Sequence, residues 1–177
     1  VAGKLAEQRK ATLEKISSGK TASIITVQSD AELRSALDLT ERHGLKTAVI
    51  GASQLDPFFG RIKALNVAVI ASPISPSTYN WYLKDIAKAD AAGIKVAFAG
   101  STAEQLRLLA SQSVASGMNR QNALKALCHG CEGIVSSPGI SPGNHADFVV
   151  WSGSPLDLAA TPLMVVVDGE MAEETQE

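Results

Sequence analysis

Four short runs of β-branched and aliphatic residues restrict this chain to few folds. They are Ser23-Ile24-Ile25-Thr26-Val27, Thr47-Ala48-Val49-Ile50, Val67-Ala68-Val69-Ile70 and Ile94 to Ala99, spaced roughly 20 to 30 residues apart. Each is nearly all apolar, so each needs cover on both faces, as strands of a parallel sheet do. A helical pattern separates each run from the next, which is the rhythm of right-handed βαβ units. In a barrel the second covered face is the interior; in a doubly wound sheet it is another row of helices. Periodicity does not separate the two.

The helices announce themselves by their ends. Leu5 to Ser18 places Leu5, Leu13 and Ile16 on one side, and Ser18-Gly19 supplies a stop. Ser29-Asp30-Ala31-Glu32 is a capping box that opens a helix carrying Leu33, Ala36 and Leu37 and ending at His43-Gly44. Asp56 before Pro57 marks a short helix with Phe58, Phe59 and Ile62 as its apolar content. A Pro/Ser loop over residues 72–77 precedes a helix with Leu83, Ile86 and Ala87 inward. Ser101-Thr102-Ala103-Glu104 reads as a second capping box, ahead of Leu106, Leu109 and Val114. Asn119 is placed to cap a last helix with Ala123, Leu124 and Leu127.

Size and composition narrow the function classes. A chain of 177 residues suits one domain that buries roughly 70% of its unfolded surface. That is short of the about 250 residues of a full (β/α)8 barrel and leaves room for about half of one. The 45% hydrophobic and 19% charged fractions are those of a globular protein. A net charge of -2 with no Lys/Arg cluster argues against nucleic acid or an anionic membrane as partner. Two cysteines make no disulfide framework, and no apolar run approaches the ~18 residues of a membrane span. Compartment stays open: soluble, and either cytoplasmic or exported after processing.

The C-terminal stretch is the most distinctive. Ala146-Asp147-Phe148-Val149-Val150-Trp151 leads through Ser152-Gly153-Ser154-Pro155-Leu156 to Pro162-Leu163-Met164-Val165-Val166-Val167-Asp168-Gly169, two strands joined by a Gly/Ser/Pro turn and closed by Asp-Gly. This ending resembles that of amidohydrolase-superfamily enzymes, closest to the imidazolonepropionase-related group. The resemblance runs from about residue 5 to residue 171 and aligns the four strands with the last four of the barrel. It implies an α/β fold: four parallel βα units equivalent to the second half of a (β/α)8 barrel over residues 1–135, then the antiparallel strands of a small sandwich over 136–177.

The same resemblance says where chemistry belongs. Family members hydrolyse C–N bonds other than peptide bonds with one or two zinc or similar divalent ions, held where the strands' C-terminal ends converge. This half would contribute two histidines and an aspartate. Aligned on the first and second strands, Thr26 and Gln28 stand at the aliphatic-His-Ala-His run and Gly51 at the next histidine; on the fourth strand, Ser101 replaces the aspartate of Gly-Thr-Asp. Hydroxyls, an amide and a glycine do not supply the imidazoles and carboxylate that grip such an ion, so no metal and no other cofactor is expected. Thr26, Gln28, Gly51, Ser53 and Ser101 remain as a candidate ligand-binding mouth, with no catalytic residue among them.

Other chemistry-bearing residues have simpler readings. His43 ends a helix that feeds the next strand and so lies opposite the mouth, while His129 and His145 fall in connecting segments. Cys128-His129-Gly130-Cys131 sits at a helix C-terminus, where the dipole disfavours a thiolate, and no second pair exists for zinc. Ser29 and Ser101 have the spacing of N-caps, and no Gly-x-Ser-x-Gly elbow appears. Trp81 and Tyr82 read as packing residues. Residues 136–144, with Pro138, Gly139, Pro142 and Gly143, form a turn before a strand rather than a phosphate loop.

The expectation is thus an amidohydrolase-like protein that does not hydrolyse by itself, its status as an enzyme left open. The alternatives are a structural or ligand-binding module, or one part of a hydrolase completed by a missing N-terminal half. Half a barrel leaves sheet edges bare, so a homodimer through those edges, or that missing half, is the expected partner.

Overall fold

The computed structural model describes residues 2–73, 79–131, 134–136 and 139–174. From residue 74 the Pro/Ser loop lies outside the described residues, as do Ser137 and Pro138 of the later turn. A four-stranded sheet, order β1-β2-β3-β4, is built from Ser23–Thr26, Thr47–Ile50, Ala68–Ala71 and Val96–Phe98, every neighbouring pair parallel. Helix α1 (Ala2–Ser17) precedes β1; α2 (Asp30–His43), α3 (Phe59–Ala64) and α4 (Tyr79–Ala91) cross between strands; α5 (Ala103–Ala115) and α6 (Arg120–His129) follow β4.

Alternation along the strands sorts the two faces. Val49, Val69 and Val96 point into the main core with Leu33, Leu37, Leu55, Ile62, Tyr82, Ile86 and Leu109 from the helices. Ala48, Ala68, Ile70 and Ala97 form a second buried cluster on the opposite face, with Ile50, Ala99 and Ile134 packed against it. On β1 that same face is open: Ile24 is 51% exposed. At the sheet's N-terminal end a chain of hydroxyls ties helix to strands, Thr40 to Thr47 at 3.0 Å and Thr47 to Ser23 at 3.3 Å.

Caps set most helix ends as their residues dictate. The Ser29 hydroxyl accepts from the Glu32 amide at 3.3 Å, and Gly44 closes α2 in the left-handed region at φ 60. The Asn119 side chain accepts from the Gln121 and Asn122 amides. One expectation needs correction. The cap of α5 is Thr102, not Ser101: its hydroxyl accepts from the Gln105 amide at 3.2 Å, while Gln105 Oε1 accepts from the Ser101 amide at 3.0 Å. The turn after β4 carries Ser101 one residue ahead of the cap, and Gln105, rather than Glu104, reaches back to its amide. Asp56 does start a helical turn, a 3₁₀ turn (Asp56–Phe58) with Pro57 behind it, and pairs with Lys88 Nζ at 2.7 Å.

After α6 comes a short antiparallel pair, β5 (Gly130–Cys131) and β6 (Val135–Ser136), of which β5 contacts β4. A separate antiparallel sheet, order β7-β8-β9, comprises Phe148–Trp151, Pro162–Val167 and Glu170–Glu174. The third strand, in the polar run Glu170 to Glu174, is a structural finding. Asp168 (φ 51) and Gly169 (φ 81) make the turn into it, the two positive φ values that a two-residue hairpin of type I′ demands. Asp147 Oδ1 accepts from the Asp168 amide at 2.7 Å and the Ala146 carbonyl from the Gly169 amide at 3.1 Å. The Ala-Asp pair ahead of β7 therefore docks the Asp-Gly turn after β8.

Candidate functional site

In a parallel sheet all C-terminal strand ends emerge on one side, where the following loops can hold a ligand. Here that rim consists of Val27-Gln28-Ser29 after β1, Gly51-Ala52-Ser53 after β2, Ser72 after β3 and Ala99-Gly100-Ser101 after β4. Thr26, the last residue of β1, pairs in register with Ile50, just ahead of Gly51. Thr26, Gln28 and Ser101 are exposed and Ser53 is half-buried. Ser101 follows β4, the strand at the opposite edge of the sheet from β1. Thr26 and Gln28 thus follow one edge strand, Gly51 and Ser53 its neighbour, and Ser101 the far edge.

Gly51 is the most constrained of them. It has φ +88, and a Cβ built on it would stand 2.5 Å from the Val27 carbonyl oxygen. The end of β1, where Val27 donates its amide to the Ile50 carbonyl at 2.9 Å, presses its backbone against the end of β2. The backbone as folded leaves no room for any side chain at this point of the rim.

Four backbone amides at or behind the rim are taken up by side chains of the same chain. Glu32 Oε2 accepts from the Gln28 amide at 2.7 Å, so the loop after β1 is closed onto α2. The Ser101 amide is taken by Gln105 in the same way. Behind β2, Asp85 Oδ2 accepts from the buried Leu55 amide at 3.3 Å, and the Tyr82 hydroxyl accepts from the Ser72 amide at 3.2 Å. Asp85 and Tyr82 are both buried and position the loops after β2 and β3. Tyr82 thus positions a loop as well as packing, and the one sequence signal for Asp85 is a carboxylate at a core-facing position of α4.

Outside the rim, a cavity of about 650 Å³ opens between α5, the end of α6 and β7, lined by Leu106, Leu127, Cys128, His129, Phe148 and Trp151 among others. Arg107 closes one wall: its guanidinium stacks 4.2 Å above Trp151 and donates to the carbonyls of Pro155 (3.0 Å), Asp157 (2.8 Å) and Ala160 (2.8 Å). With the Ser111 hydroxyl donating to the Leu156 carbonyl at 2.7 Å, this clamp fastens the C-terminal sheet to α5. Cys128 is exposed on the cavity wall, yet desolvation by its neighbours raises its thiol pKa above the ordinary value.

The histidines are dispersed. His43 is exposed at the end of α2, away from the rim; His129 borders the cavity; His145 Nδ1 lies 2.9 Å from Asp168 Oδ1 in an exposed pair. Among the described residues no group of three or more His, Cys, Asp or Glu side chains is placed to hold a metal ion. Among them, too, no helix is long and apolar enough to cross a membrane.

Comparison with solved structures finds a crystal structure of an amidohydrolase from Thermotoga maritima MSB8, with a TM-score of 0.76 at 20% identity over 92% of this chain. The fold is that of part of an amidohydrolase. This chain spans 46% of the length of that protein. No family model and no curated protein matches the sequence.

Proposed function

We propose that this chain is the C-terminal half-barrel of an amidohydrolase-superfamily protein of the imidazolonepropionase-related group, and that it does not hydrolyse C–N bonds by itself. One observation carries the reading. At the rim where such a fold would place metal ligands, this chain offers Thr26, Gln28, Gly51 and Ser101, and at Gly51 the Val27 carbonyl occupies the place of a side chain. The set contains no imidazole, thiolate or carboxylate, so it does not suit a divalent transition ion, and no hydrolytic step is routed through one.

The test is metal analysis of the purified chain after exposure to excess zinc, with turnover assays against cyclic amides and acyl-dipeptides. Substoichiometric zinc and no turnover are expected. Tightly held zinc at one equivalent with hydrolysis would overturn the reading. A second reading, a hydrolase assembled from two polypeptides, is favoured by the 46% coverage and opposed by the substituted rim positions of this half.

A further inference from the structure

The structure assigns the cavity between α5, the end of α6 and β7 as a binding site for a small uncharged aromatic molecule. The inference goes beyond the question of hydrolysis, because none of Thr26, Gln28, Gly51, Ser53 and Ser101 lines this cavity. At about 650 Å³ it falls within the range of about 300–1,000 Å³ that small-molecule sites occupy. Leu106 of α5 and Leu127 of α6 supply its helical side; Phe148, Val149 and Trp151 supply its strand side. These side chains come from three separate segments and leave apolar surface around one open space. A ligand that covers that surface removes it from water, which is the main source of affinity in such sites. The rings of Phe148 and Trp151 favour an aromatic ligand over an aliphatic one, since paired rings gain more than the area they bury.

The polar groups on the wall decide the ligand's charge. Arg107 is committed elsewhere: Nε and Nη2 donate to the carbonyls of Pro155, Asp157 and Ala160, and the guanidinium stacks on Trp151. It is therefore a wall, not a partner for an anion. Asp147 is exposed, and its Oδ1 already accepts from the Asp168 amide at 2.7 Å. A carboxylate facing solvent attracts a cation only weakly. His129 lays its ring against Gly139, where a Cβ would stand 3.2 Å from Cε1. Burial raises the Cys128 thiol pKa, a separate sign that this wall is poorly hydrated. A charged ligand would lose hydration here without gaining a dedicated counter-charge.

The walls stand without a ligand. The three Arg107 bonds and the 2.7 Å bond from the Ser111 hydroxyl to the Leu156 carbonyl fix the connection between β7 and β8 to α5. On the other side α5 packs against α6. A site held open by its own hydrogen bonds needs little ordering when a ligand enters.

Titration of the purified chain with N-phenylnaphthylamine, a neutral aromatic fluorophore, should show saturable binding at one equivalent with Kd on the order of 10 µM. Naphthalene should compete, while naphthoate and naphthylmethylammonium should compete at least tenfold more weakly. In Cys131→Ser protein, which leaves Cys128 as the one thiol, saturating fluorophore should slow iodoacetamide alkylation at least fivefold. Ala103→Trp fills the cavity and Val149→Glu places a charge on its wall; both positions are exposed, so each variant should melt close to the parent and bind at least tenfold more weakly. Ile24→Ser, at an exposed apolar position that does not line the cavity, should leave binding unchanged. Absent or non-saturable binding, unchanged alkylation, equal competition by the charged analogues, or binding indifferent to both cavity variants would overturn the inference. Metal content and turnover enter none of these readouts, so failure here is distinguishable from failure of the proposed function.

Discussion

Replacing Gly51 by alanine probes the rim at its tightest point. The new Cβ would meet the Val27 carbonyl oxygen at 2.5 Å, and that oxygen belongs to backbone anchored by the ladder to β2, not to a side chain that can swing away. The residue also sits at φ +88, where an L side chain is strained. Strain at such a backbone position costs about 1–3 kcal/mol, and overpacking typically a further 1–3 kcal/mol. The two overlap, because one backbone shift relieves both, so about 2–4 kcal/mol is expected. For a chain of this size each kcal/mol moves Tm by about 2–4 °C, so the loss should be roughly 4–16 °C. Urea and thermal melts of Gly51→Ala beside Gly60→Ala give the comparison. Gly60 has open space around its would-be Cβ and lies in α3, so alanine there should be neutral or stabilising by up to about 1 kcal/mol. A Gly51→Ala protein that melts with the parent would refute the close approach of β1 and β2. The steric bar to a metal-binding side chain at this rim position would fall with it.

Further expectations concern the elements that frame the rim. Thr102→Ala should cost about 0.5–2 kcal/mol and Ser101→Ala no more than about 0.5 kcal/mol, in urea melts; the reverse order would return the cap to Ser101. Arg107→Met keeps the apolar stem but loses three carbonyl partners, so the C-terminal sheet should loosen by about 2 kcal/mol, seen as faster amide exchange over residues 148–167 than over β1 to β4. For Cys128, whose folded thiol pKa is raised by desolvation, the folded state keeps its proton longer than the unfolded chain does. Stability should therefore be unaffected by this group well below the unfolded thiol pKa and fall as pH rises through and above it. Alkylation of the native protein by iodoacetamide at mildly alkaline pH should be slower than after unfolding; equal rates would contradict the desolvation.

Much of the fold is legible because local rules and burial agree. Val49, Val69 and Val96 lie in apolar runs too short for helices, and the helices before and after this set of strands, α2 and α6, begin at Ser29 and Asn119, whose side chains do cap them. Strand β9 was not legible, since Glu170-Met171-Ala172-Glu173-Glu174 lacks β-branched residues and is held by pairing with β8 and by the Asp168-Gly169 turn. The cap at α5 was displaced by one residue because Ser101 and Thr102 are equally good acceptors and only the end of β4 chooses between them.

The candidate site divides along the same line. Which residue types stand at the strand ends, and hence that hydroxyls and amides are present where imidazoles and carboxylates would be needed, is a property of the sequence alone, because donor chemistry travels with the side chain. That Gly51 has no space for a side chain, that Asp85 holds the loop behind β2, that Arg107 binds three carbonyls, and that β1 keeps an edge unpaired among the described strands were decided by tertiary structure. Each depends on backbone atoms brought together from segments distant in the chain, and such distances are not written in any local pattern of residues.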